Sequence, residues 1–127
     1  MMRKQPYLPA LLWLVIVTLL SVVPGSSMPK FQLASSDKFG HALAYALLTW
    51  LLCRGARITR ARSITWKEAT MVVCLSSGYG VLMEWVQSTF FPSRFFEVDD
   101  MLANTFGALM AAFIFLIMNN TSSPNRQ

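Results

Sequence analysis

From Leu8 to Val23 the chain reads LPALLWLVIVTLLSVV, without one charged side chain, and then breaks at Pro24-Gly25-Ser26-Ser27. A run that apolar belongs in a buried core or in lipid, where a helix satisfies its own backbone polar groups. Three further stretches share its character, at about 38–53, 69–87 and 100–118. The first of these three is long enough only if Lys38 and Arg54 carry their charges to the head-group region on aliphatic stems. A helical crossing of the roughly 30 Å hydrocarbon core takes about 17–25 residues. Hydrophobic residues make up 54% of the 127 positions and charged residues 13%, too apolar a mixture for an ordinary soluble domain. The sequence therefore predicts an all-α integral membrane protein, one domain over 1–127. Its expected form is a compact bundle of about four transmembrane helices with short flexible ends at 1–7 and 119–127.

The net charge of +5 invites a nucleic-acid reading. The basic residues cluster between apolar stretches and are not interleaved with aromatics, so no nucleic acid is expected and orientation in a membrane explains them better. With the N-terminus inside, Arg3, Lys4, Arg54, Arg57, Arg60, Arg62, Lys67 and Arg126 face the cytoplasm, and Lys30, Lys38 and Arg94 do not. Both termini are then cytoplasmic, R54-G-A-R-I-T-R-A-R62 is the basic inner loop, and 24–37 and 88–99 are outer loops. The expected location is the inner (plasma) membrane, crossed several times. A cleaved signal peptide competes for the first stretch, but the A-x-A pattern is absent and the apolar run is long for one. TSSPNRQ at the C-terminus reads as a disordered tail. Cys53 and Cys74 fall toward cytoplasmic helix ends and are expected as buried free thiols. Trp13, Trp50, Trp66 and Trp85 fit interfacial anchors or lipid-facing bulk.

This topology gathers the polar residues at one membrane face. Asp37, Lys38 and His41 open the second stretch, Glu84 and Gln87 close the third, and Asp100 and Asn104 open the fourth. Ionisable groups at such depth are expensive unless paired, which makes them functional candidates by default. Helical spacing sets Asp37, His41 and Tyr45 on one stripe, Glu84 and Gln87 on another, and Asp100, Asn104 and Gly107 or Ala108 on a third. Gly107/Ala111, Ala108/Ala112 and Ala42/Ala46 are small-x-x-x-small pairs that let helix backbones approach closely in lipid.

Laid end to end, D37-K38-F-G-H41-A-L-A-Y45, G80-V-L-M-E84-W-V-Q87, R94 and D100-M-L-A-N104-T-F-G107 resemble the VanZ-like membrane proteins, named after a small accessory protein associated with glycopeptide resistance. The motifs are in order over residues 36 to about 115. Asp99 and Asp100 are adjacent, and the four-residue gap to Asn104 favours Asp100 as the matching carboxylate. The resemblance implies a small cell-envelope membrane protein. It carries no established activity for most members, and the resistance association belongs to the namesake.

The chain has no G-x-S-x-G elbow, P-loop, H-E-x-x-H or C-x-x-C. With one histidine and no tight ligand motif, no metal and no cofactor are expected. The first functional reading is a membrane enzyme or ligand-binding protein at the outer leaflet. In it His41, Glu84 and Asp100 are the candidate catalytic groups, with His41 as general acid or base beside Asp37 or Glu84. Asp37, Lys38, Tyr45, Gln87, Arg94 and Asn104 are candidate ligand-binding residues, with Lys38 and Arg94 holding an anionic lipid head group or a phosphate-bearing, lipid-linked envelope precursor. The second is a non-catalytic scaffold or accessory protein in which the same residues fasten helices, Asn104 and Gln87 as hydrogen-bonding glue. A proton-coupled transporter is weaker, because the ionisable residues lie at one face and no broken helix is evident at the midplane.

Overall fold

The computed structural model describes residues 5–22, 34–91 and 95–121, apart from the side chains of 34–37, 120 and 121. The expectations for the breaker at 24–27, the Asp37 side chain, Arg94 and the tail after 121 lie outside the described residues. Within them the chain forms four helices, α1 (Leu8–Val22), α2 (Ala34–Arg60), α3 (Trp66–Phe90) and α4 (Val98–Thr121), and no strand.

Residues 66–90 and 98–119 are helical segments long and apolar enough to cross a membrane. At 1.5 Å per residue, α3 with its 25 residues is about 37 Å long, more than the hydrocarbon core. α1 carries no charge but, at 15 residues, spans only about 22 Å. α2 has 27 residues with charges near both ends, so its average hydropathy is low although 39–53 carries no formal charge unless His41 is protonated.

The basic stretch expected as a loop is mostly helix, since α2 runs on to Arg60. Cys53 and Ala56 still pack against Ile64, Ala69, Phe115 and Leu116, so the inner face continues while Arg54, Arg57 and Arg60 stay exposed on the outer one. α2 stops at Ala61, whose φ of 52° is left-handed. α3 then starts on a reciprocal cap: the Thr65 hydroxyl accepts from the Glu68 N–H at 3.2 Å, and the Glu68 carboxylate accepts from the Thr65 N–H at 2.8 Å.

α2 and α4 make the closest and most extensive helix pair, α3 packs on both, and α1 lies on α2 and α3 without touching α4 among the described residues. Gly107 explains the first contact. A Cβ built there collides with the Ala42 carbonyl, so the α2 and α4 backbones meet where only glycine fits. Ala108, Ala111 and Ala112 continue the close seam and are buried.

Several polar side chains are buried beside the apolar core, while many large apolar ones face outward. Thr49, Ser76, Glu84, Gln87, Asp100, Asn104 and Asn119 are buried, whereas Leu12, Leu19, Leu75, Leu102, Phe106 and Phe113 are exposed. Water would favour the reverse, and lipid removes the reason to hide leucine.

Three expectations need correction. Cys74 is free but exposed; only Cys53 is buried. Trp13 and Trp50 pack between helices, Trp13 donating its indole N–H to the Ala44 carbonyl at 2.9 Å and Trp50 meeting Phe115 edge-on at 4.9 Å, while Trp66 and Trp85 are exposed as expected. Asn119, expected in a flexible end, lies in α4 and is buried, because the apolar seam carries the helix to Thr121.

Candidate functional site

The antiparallel course brings the start of α2, the end of α3, the start of α4 and the end of α1 to one end of the bundle, and the polar residues converge there. From α2, His41 sets its Nε2 3.5 Å from the Asp100 carboxylate of α4. The imidazole is about a quarter exposed and the Asp100 side chain nearly sealed, at 26% and 9%, so His41 stands between a buried acid and the outside. Asp100 and Asn104 are one turn apart on α4 and both face inward.

Glu84 enters from α3, buried, and accepts the backbone N–H of Glu97 at 3.3 Å. It also lies within electrostatic reach of Asp100 and His41. The segment leading into α4 is thereby tied to α3 by a carboxylate. Gln87, one turn on, donates to the Ser21 carbonyl of α1 at 2.7 Å, so its amide holds the end of α1 against the bundle.

Gly80 lets the site close underneath. A Cβ there would stand 2.9 Å from the Asn104 amide nitrogen and 3.2 Å from the Tyr45 ring, so Tyr45, Asn104 and the α3 backbone share one layer. Asn104 is 2% exposed, and its side-chain oxygen has no hydrogen-bond partner among the described residues. Buried amide oxygens are nearly always satisfied, which marks this one.

Lys38 sits at the exposed edge and is already engaged. Its ammonium is 2.8 Å from Asp99, a pair whose side chains are 38% and 70% exposed. The neighbouring aspartates thus divide the work, Asp99 outside on Lys38 and Asp100 inside beside His41. The sequence expectation sets Lys38 on an anionic ligand and Asp100, not Asp99, in the motif; the Lys38–Asp99 pair is a further feature. That the two helix starts lie side by side was the available signal, since antiparallel neighbours put residues 38 and 99 at the same level.

Sequence reasoning also missed two interior contacts and one buried amide. Thr49 donates to Ser76 at 3.0 Å, fully buried between α2 and α3. The Thr18 and Tyr79 hydroxyls pair between α1 and α3. Asn119 buries an amide with no partner among the described residues. Hydroxyl pairs in apolar helices have no charge to announce them.

A groove of about 310 Å³ between α1, α2 and α3 lies away from this end, walled chiefly by Leu11, Leu14, Leu48, Leu52 and Leu75. Its lining is apolar, with Ser76 and Tyr79 at its back, and it offers no acid–base chemistry. Among the described residues no group of three histidine, cysteine, aspartate or glutamate side chains could hold a metal ion.

Comparison with known proteins found no similar curated protein and no similar solved structure. A family model does match, over residues 7–119, nearly the whole chain and all four helices: the chain belongs to the VanZ/LLP1 family.

Proposed function

We propose that this chain is a small multi-pass protein of the cell's inner membrane whose polar end is a ligand site at the outer face. All four helices cross or nearly cross the bilayer in this reading, and both termini are cytoplasmic. Support comes from the many large apolar side chains on the exterior, with polar groups buried inside, and from the basic residues Arg54, Arg57, Arg60 and Arg62 at the opposite end of the bundle. α1 and α2 complete the crossing by local thinning of the lipid and by Lys38 and Arg54 reaching outward.

The observation that carries the site is the half-open imidazole of His41 beside buried Asp100, with buried Glu84 close by. A scaffold would close such a group off from the outside. Here a proton-transferring group stays accessible, the arrangement general acid or base chemistry requires. A lipid head group or lipid-linked envelope precursor approaching from the outer leaflet meets Lys38 and Asp99 first and His41 next.

Two arms of one experiment test this. A reporter active only outside the cytoplasm is expected to be silent when fused after Arg62 or Gln127 and active after Ser35 or Pro92; activity after Gln127 overturns the four-crossing arrangement. In cells lacking the gene, His41→Gln and Glu84→Gln are expected to accumulate as folded protein yet fail to restore the envelope phenotype. Full restoration by well-folded His41→Gln, Glu84→Gln and Asp100→Asn would leave the scaffold as the better account.

A further inference from the structure

Among the described residues, the polar end holds buried acceptors that are short of donors. Among the described residues, Glu84, Glu97, Asp99 and Asp100 lie there with Lys38 and His41. Lys38 is already on Asp99 at 2.8 Å. Glu84, buried at 3% exposure, is offered one backbone N–H and forms no ion pair among the described residues. Deeper on the Asp100 face of α4, the Asn104 oxygen is sealed without a donor. A buried acceptor left unmade is costly, so a donor is the missing component.

The missing donor has a recognisable chemistry. A phosphate or carboxylate would bring further acceptors to Glu84 and the Asn104 oxygen, which need donors. A divalent ion would need a cluster of ligating side chains, which the described residues do not form. A primary ammonium brings three N–H donors and one positive charge on a small head, and the Lys38 contact with Asp99 shows these acceptors taking one. Resting on the reading of this end as a ligand site, we infer that its ligand presents a primary ammonium group, which donates to Glu84 and to the Asn104 oxygen. Lys38 then guards the entrance, its own ammonium competing for the outermost carboxylate.

The test uses the full chain purified in detergent, with thermal unfolding as readout. Probes are an ethanolamine-headed phospholipid, a choline-headed one with the same acyl chains, an anionic glycerol-headed one, and soluble ethanolamine. The ethanolamine head is expected to raise the midpoint by about 5 °C more than the choline head, whose quaternary nitrogen has no N–H to donate. Glu84→Gln should erase that difference, and Lys38→Met, at an exposed side chain that leaves folding intact, should enlarge it. Soluble ethanolamine matching the lipid identifies a free amine as the source; an effect from the lipid alone identifies a head group. Equal shifts from ethanolamine and choline heads, or no response of the difference to Lys38→Met, overturn the ammonium inference. A shift from the glycerol-headed lipid that His41→Gln abolishes would overturn it while leaving the ligand site standing. Shifts from no probe that depend on His41, Glu84 or Lys38 would remove both.

Discussion

Both ends of the bundle join acids to bases, but over different distances along the chain. Where α2 gives way to α3, Glu68 collects Arg60 at 2.9 Å, Arg62 at 2.8 Å and the Thr65 N–H at 2.8 Å, all within a few residues of one another. At the other end Lys38 reaches Asp99 across 61 residues, and Gln87 reaches Ser21 across 66. The first group is exposed and shapes a turn, and exposed pairs contribute little to global stability. The second ties α2 to α4 and α3 to α1, and encloses buried carboxyls. Near-neighbour polar contacts in this molecule decide where a helix begins; distant ones decide what the bundle surrounds.

The largest effect that would break this comparison comes from the seam beneath the polar end. Gly107→Leu places a side chain where the Ala42 backbone lies, and neither helix backbone can yield as a flexible side chain would. Overpacking a tight interior usually costs about 1–3 kcal/mol, and a backbone collision belongs at or above the top of that range. Gly78 is the control, because a Cβ there meets nothing within 4 Å. Thermal unfolding in detergent is expected to show a severe loss for Gly107→Leu and little change for Gly78→Leu. Equal behaviour of the two would mean that the α2 and α4 contact does not hold the polar end together.

Much of this was legible in the sequence, and the limits have physical causes. The four apolar runs fall on the four helices, and charge plus helical spacing picked out His41, Glu84, Asp100 and Asn104, which the fold brings into one neighbourhood. Spacing also favoured Asp100 over Asp99, matching their inward and outward orientations. Helix ends were less legible. Residues 54–60 read as a loop because arginine signals a boundary, yet arginine and alanine are good helix formers, and Cys53 and Ala56 still had a core to face. Cys74 and the tryptophans show the same limit: in lipid either orientation is tolerated by an apolar side chain, so composition does not say which way it points. The Lys38 pairing needed the relative level of two helices, which spacing within a single helix does not provide.

At the other end the comparison sharpens through a milder change. Thr65→Ala removes one half of the reciprocal cap, freeing the Glu68 N–H while leaving Arg60 and Arg62 on the carboxylate. Loss of such a cap costs about 1 kcal/mol in typical helices. The unfolding midpoint should fall modestly, and the ligand responses of the polar end should stay as they were. A change in those responses would show the two ends coupled through α3, contrary to the division drawn here.

The smallest expected effect is a gain. Ala61 is the one non-glycine residue among those described with a positive φ, at 52°, and it is where α2 turns toward α3, its N–H donating to the Ile58 carbonyl at 3.3 Å. The left-handed conformation crowds an L-residue's Cβ against its neighbouring carbonyl, costing about 1–2 kcal/mol, whereas glycine adopts it freely and is the usual residue just past a helix end. Glycine also loses more conformational entropy on folding, by about 0.5–1 kcal/mol relative to alanine in regular structure, and this offsets part of the relief. The net expectation for Ala61→Gly is a stabilisation of about 0.5 kcal/mol, seen as a small rise in the unfolding midpoint with no change in any lipid response. A fall instead would mean that this turn does not hold Ala61 in the left-handed region, and that α2 ends by another route.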